Sequence, residues 1–344
     1  MTAPGGLRGR AERLLQEPAP NLAEILDLVS ERLRAVEAMF RENVASPVGI
    51  VREIGDFVAE GGGKRVRPTL HLLAADVAGY RGPHDVLLGC VLEYIHTATL
   101  IHDDISDRSE KRRGRASAHE HFGIGKSLIA ADYLMTTAFK LIADYGVDFI
   151  STVNAACMNM AIGEIHDLRH TGNSAVTEEE YYDIIARKTG ALFEAGVKVG
   201  VMAAGADAKD VASFGRYGRE VGLAFQIVDD TLDVSASAKR LGKPVGKDLR
   251  EGKVTMPTIF AMAHASRSDR AFLRHLIEVG GRETSDADLR RAVKIIRATG
   301  AEAYCRERAR GHTRRAKAAL KRVPPSRAKA ELLDFADDLA ERGA

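Results

Sequence analysis

Between residues 21 and 41, apolar side chains fall at Leu22, Ile25, Leu26, Val29, Leu33, Val36 and Phe40, the spacing that lines one face of a helix. The same period runs through most of the chain. It predicts helices over about Pro47–Ala59, Thr69–Val77, Ser127–Ala143 and Asp148–His170, and one from about Asp85 through the mostly apolar Leu92–Ile105. Pro68 can begin the Thr69 helix, because its missing N–H costs nothing in a first turn. Thr177 to Glu180 reads as a capping box opening the helix that carries Lys188 and Thr189. Asp207–Val234 reads as a helix pair, Val254–Ala265 resumes helix, Ser285 caps another, and Pro324-Pro325 breaks the C-terminal helices. No segment shows a convincing strand alternation. The pattern is that of an all-α fold.

The Leu92–Ile105 helix delivers Asp103, Asp104 and Asp107, with Asp103 and Asp107 one turn apart on one face. Carboxylates brought together in an interior repel one another and resist desolvation unless a cation joins them. A divalent metal is the simplest such cation. One acidic triplet alone could equally be a solvated helix end. The pattern recurs about 125 residues later, where Asp229, Asp230 and Asp233 close another apolar helix. Two such clusters, each ending a hydrophobic helix, are poorly explained by solvation.

Composition narrows the class. With 344 residues, 45% hydrophobic and a net charge of +2, the chain suits a large globular unit and gives no case for nucleic acid. We read residues 1–20 as a flexible tail, since Glu12 and Glu17 argue against an organellar presequence, and residues 21–344 as one helical domain. Cys90, Cys157 and Cys305 are scattered and form no CxxC, so the expected compartment is the reducing cytoplasm. No apolar run approaches the roughly 20 residues a membrane span needs.

Basic residues lie near both clusters. Lys64, Arg65 and Arg67 follow a glycine run, Arg112 and Arg113 follow the first cluster, and Lys188, Lys243, Lys247 and Lys253 lie towards the second. Singly, each could be a solvated surface charge. Together they complement a diphosphate, which guanidinium groups grip in bidentate fashion and lysines as point charges. Magnesium commonly bridges a few carboxylates to substrate phosphates and stabilises charge on a departing group. No Ser/His/Asp or Cys/His nucleophile arrangement is apparent, and His119-Glu120-His121 lacks HExxH spacing. The chemistry therefore reads as ionisation of a diphosphate ester in an apolar pocket.

Five motifs in order, GKRVRP (Gly63–Pro68), DDISD with RRGR (Asp103–Asp107, Arg112–Arg115), KTG (Lys188–Gly190), FQIVDD with Asp233 (Phe225–Asp230) and GKPVGKDLREGK (Gly242–Lys253), resemble the trans-isoprenyl diphosphate synthases, or polyprenyl synthetase family. The resemblance extends from about residue 20 to the end. It implies an isoprenoid-synthase-type helical bundle around a deep central cavity, a homodimer, and head-to-tail condensation of isopentenyl diphosphate with an allylic diphosphate (geranyl, farnesyl or geranylgeranyl). By the same resemblance, Asp103, Asp104, Asp107, Asp229, Asp230 and Asp233 bind magnesium, three ions per site, with Asp248 as an outer partner. Lys64, Arg67, His96 and Arg113 hold the isopentenyl diphosphate; Arg112, Lys188, Lys243 and Lys253 hold the allylic one. Thr189 and Gln226 stabilise the developing allylic cation. Lys247, Arg108 and Asp167 depart from the residues common at their positions and read as peripheral.

Ala98 and Thr99 stand five and four residues before Asp103. Small residues there let a growing chain pass in the resembled family, and His96–Asp104 resembles the long-chain bacterial octaprenyl- and heptaprenyl-type synthases. The expected product exceeds twenty carbons, at about thirty to fifty. Tyr133, Leu134, Met135 or Phe139 could end elongation. Rival readings are a short-chain synthase, a class I terpene cyclase and a non-catalytic partner subunit. The last should have lost motif aspartates or arginines, and these are all present. So long a product suggests transient contact with a membrane surface at release.

Overall fold

Of the amphipathic stripe that opens the chain, Val29, Val36 and Phe40 lie in the core, and Leu33 is partly buried against it. The computed structural model describes residues 22–43, 49–60, 65–80, 82–112, 114–235, 246–279 and 284–341. The expected tail at 1–20 lies outside them. The first helices are α1 (Leu22–Asn43), α2 (Gly49–Glu60), α3 (Val66–Val77) and α4 (Asp85–Ser106). Helix α3 begins earlier than expected, so Pro68 sits inside its first turn, where no intrahelical N–H bond is required.

After α4 the chain makes a small antiparallel hairpin, Lys111–Arg112 against Arg115–Ala116, which the hydrophobic pattern gave no sign of. A two-residue strand is too short to show alternation. Helices α5 (Ala118–Phe122), α6 (Ile124–Ile142) and α7 (Val147–His170) follow. Next come α8 (Glu178–Ile185), a π-helical turn (Ala186–Gly190) and α9 (Ala191–Ala203). The predicted capping box is formed: Thr177 Oγ1 accepts from the Glu180 N–H, while Glu180 accepts from the Thr177 N–H at 2.8 Å.

The expected helix pair over 207–234 is instead one helix, α10 (Ala208–Ser235). Its glycines mark close packing, not a break. A Cβ at Gly218 would come within 2.7 Å of the Phe193 carbonyl oxygen on α9. The remaining helices are α11 (Lys247–Arg250), α12 (Met256–His264), α13 (Arg267–Val279), α14 (Asp286–Ala298), α15 (Ala301–Ala319) and α16 (Arg327–Glu341). Ser285 caps α14 as predicted, and the Pro324-Pro325 break separates α15 from α16.

Helix α9 is central, packing against α3, α4, α7 and α10. One apolar cluster joins α1, α2, α4, α6 and α7; another joins α3, α9, α10, α15 and α16. Each fully buried large side chain, such as Leu72, Leu92 or Phe193, contributes about 1.5–3 kcal/mol. Buried polar groups fix helix register. The His71 ring meets the carbonyl oxygens of Gly196 and Asp85, both at 3.0 Å, tying α3 to α9 and α4. The three cysteines are free, and among the described residues no helix is long and apolar enough to cross a membrane. The bundle thus holds the C-terminal ends of α4 and α10, where the two aspartate clusters lie.

Candidate active site

Helix α4 ends at the first cluster. Its last carbonyls carry partial negative charge, so carboxylates there are unfavourable without a cation. Arg112 answers part of that need, donating Nε–H to Asp104 Oδ2 at 2.7 Å, and the hairpin delivers it there. Asp104 Oδ1 remains buried without a hydrogen-bond partner. Burial, set against the opposing charge of Lys188 and reinforced by Glu164, pushes the Asp103 carboxyl up to about 7.

The second cluster closes α10 and is more fully hydrogen-bonded. Asp230 is buried and accepts from the Tyr181 hydroxyl at 2.6 Å and from Gln226 Nε2 at 2.7 Å. Burial outweighs those bonds and raises its carboxyl to about 7. Thr189 Oγ1 donates to Gln226 Oε1 at 2.8 Å, so Thr189, Gln226, Asp230 and Tyr181 form one chain of bonds. Asp233 accepts the backbone N–H groups of Lys247 and Asp248, at 3.2 and 3.1 Å, anchoring α11. Asp229 is exposed. Asp248 is pushed up by burial and by Asp233 and Asp230 beside it.

Lys253 links these halves, and Lys188 stands beside the first. Lys253 Nζ lies 2.7 Å from Asp107 Oδ2, and the Ser109 hydroxyl donates to Glu251 at 3.2 Å. Lys188 Nζ lies 2.5 Å from Glu164 and 2.7 Å from Asp167, both on α7. The π-turn sets Lys188 down at close range: a Cβ at Gly163 would meet the Lys188 backbone nitrogen at 2.6 Å. Such turns widen a helix locally and recur at functional sites. For both lysines burial acts to lower the pKa, and the surrounding carboxylates reverse this to a net rise.

The geometry corrects three expectations. Asp167 is not peripheral, because it lies between Lys188 and Lys253. Arg65 does not join a phosphate group; it pairs with Glu37 at 2.9 Å and Glu93 at 2.7 Å, and its left-handed φ of 47° precedes α3. Ala98 has no exposed surface, enclosed in the cluster that holds Ile101, Ala131 and Leu134, so it lines no open passage here. Thr99 retains some exposure and turns its hydroxyl to the His96 carbonyl. Met135 and Phe139 border the same cluster, with Met135 Sδ 3.9 Å from Cys157 Sγ.

Arg67 donates to His96 Nε2 at 3.1 Å and stacks over the Phe193 ring, which brings these two expected binding residues together. Lys64, Arg113 and Lys243 lie outside the described residues. Sequence reasoning missed Glu164, Glu251 and Tyr181. The three-residue spacing of Glu164 and Asp167 on one face of α7 was the available signal for that pair.

The donor set fits a hard divalent cation. It is all oxygen, Asp104 Oδ1 is orphaned, and Asp103 is short of compensating charge. Among the described residues no group of three or more His, Cys, Asp or Glu side chains is already gathered closely enough to hold a metal ion.

A sequence profile described as Polyprenyl synthetase matches residues 48–296. The chain belongs to the polyprenyl synthetase family. As a polyprenyl synthetase it is a prenyltransferase, in a family that uses a divalent metal. It is 36% identical over 324 residues to an octaprenyl diphosphate synthase of Escherichia coli, covering 94% of this chain and 99% of the relative. It is 33% identical over 328 residues to a short chain isoprenyl diphosphate synthase of Methanothermobacter thermautotrophicus, covering 93% and 99%. A solved polyprenyl synthase from Caulobacter crescentus, complexed with calcium and isoprenyl diphosphate, superposes with a TM-score of 0.90 at 32% identity, covering 95% of this chain and all of the other. The expected all-α isoprenoid synthase fold is therefore the one found.

Proposed function

We propose that this polyprenyl synthetase condenses isopentenyl diphosphate with an allylic diphosphate, head to tail and with magnesium, to make a trans-polyprenyl diphosphate longer than twenty carbons. The observation that carries this reading is the lysine-linked meeting of the first aspartate cluster with α7 and with the segment that follows the second cluster.

Asp103, Asp104, Asp107, Asp229, Asp230 and Asp233 would hold up to three magnesium ions, which supply Lewis-acid stabilisation of the departing diphosphate. Arg112, Lys188 and Lys253 orient the allylic diphosphate, with Lys243 joining them. Arg67 and His96, already in contact, hold the isopentenyl diphosphate together with Lys64 and Arg113. The Thr189 hydroxyl and the Gln226 amide present oxygen dipoles to positive charge developing on the allylic carbon.

Similarity to the octaprenyl synthase supports a long product. The short-chain relative keeps a shorter product as the alternative. Exposed apolar side chains on α6 and α7, among them Ile124, Ile129, Met158 and Ile165, support pairing with a second copy of the chain. Light scattering on the purified protein tests that pairing.

The reaction is tested by incubating the protein with magnesium, isopentenyl diphosphate and farnesyl diphosphate. Consumption of isopentenyl diphosphate that stops on adding EDTA is the expected result. Diphosphate release without that consumption would instead indicate a cyclase.

A further inference from the structure

Helix α7 contributes two carboxylates, Glu164 and Asp167, to the lysine network. Asp167 Oδ2 lies 2.7 Å from Lys188 Nζ and 3.8 Å from Lys253 Nζ, and is the carboxylate these two lysines share. Lys253 also faces Asp107 at 2.7 Å and Glu251 at 3.5 Å. Both ammonium groups are therefore engaged, and a diphosphate can take them only by loosening these pairs. A divalent ion on Asp103 and Asp107 would relieve Lys253 of one partner. Asp167 is not among the aspartates assigned to metal, and in the absence of metal it holds both lysines.

Resting on the proposed function, we propose that Asp167 is a positioning residue: a shared counter-ion that makes the grip of Lys188 and Lys253 on a diphosphate conditional on bound metal. Without metal, a diphosphate meets lysines whose charge is already balanced, beside further uncompensated carboxylates. With metal, the surplus negative charge is neutralised and the lysines can turn to the phosphate oxygens. Coupling of this kind is reciprocal, so Asp167 also sets how strongly diphosphate tightens metal binding.

Calorimetric titration of the full chain with inorganic pyrophosphate, in EDTA and in saturating magnesium, tests the proposal. Asp167→Asn keeps the shape and removes the charge. In EDTA the variant should bind pyrophosphate about tenfold tighter than the unaltered protein, because one fixed charge near two cations is worth at least that at intermediate dielectric. In magnesium the two should agree within about threefold. Asp167→Glu, which restores the charge, should return the metal dependence towards that of the unaltered protein. An equal shift in both conditions would show a merely structural role and overturn the proposal, as would no change in EDTA. If the unaltered protein shows no magnesium-dependent pyrophosphate binding, the functional reading itself fails, and the proposal with it.

Discussion

Lys253 reaches Asp107 across 146 residues of sequence, with Nζ 2.7 Å from Oδ2 and both side chains largely buried. This pair draws the loop after the second aspartate cluster onto the first. It also explains how so many carboxylates are tolerated before any ligand arrives, since lysine charge lies among them. Burial alone would lower the Lys253 pKa, yet Asp167, Asp107 and Glu251 together push it above the usual lysine range.

Replacing this lysine should therefore be costly. Lys253→Met leaves Asp107 buried without its cation and removes a charge from the diphosphate site. Steady-state kinetics at saturating magnesium should show kcat/KM for the allylic substrate reduced by roughly 10- to 150-fold, the worth of one charged hydrogen bond. Near-normal kinetics would show that Lys253 serves only the fold.

Loss of a metal-side carboxylate should be more severe. Asp103→Ala and Asp229→Ala are each expected to abolish detectable turnover while circular dichroism and thermal melting remain those of a folded helical protein. Near-normal turnover in either variant would remove that aspartate from the metal set.

Much of this was readable in the chain because helical period and duplicated charge clusters are local signals. Asp103 and Asp107, one turn apart on α4, needed only the pitch of a helix to be placed together. The pairing of Asp107 with Lys253, and of Asp167 with Lys188, depends on how α4, α7 and the π-turn approach one another, which no local spacing encodes. Arg65 shows the converse. Its place in a basic run suggested phosphate, but the left-handed backbone at that residue aims the side chain at Glu37 and Glu93. Ala98 reads as an open wall by size alone, while the surrounding helices close over it.

That enclosure gives Ala98→Phe two expected effects. A bulky ring in a filled core costs about 1–3 kcal/mol of stability, seen as a lower melting temperature. It should also shorten the product, because the ring intrudes beside α6, where Met135 and Phe139 border the same cluster. An unchanged product ladder from a destabilised variant would place the growing chain elsewhere.

Acid stability should depend in part on Glu220. Burial raises its pKa, but the hydrogen bond and charge of His312 and the pairing with Arg315 outweigh that and lower it overall. A carboxylate with a lowered folded-state pKa contributes stability above its unfolded pKa, and that contribution is lost as pH falls through the folded value. Glu220→Gln should thus lower stability at neutral pH and leave it almost unchanged in strong acid, as measured by denaturant titration across pH. A cost independent of pH would mean that packing, and not charge, is what Glu220 supplies.

The most direct test of the whole account is product length. Purified protein incubated with magnesium, isopentenyl diphosphate and farnesyl diphosphate, followed by dephosphorylation and mass spectrometry, should give a ladder that ends beyond twenty carbons. A ladder ending at twenty carbons would contradict the long-chain assignment, and no incorporation of isopentenyl diphosphate with any allylic primer would contradict the chain-elongating function itself.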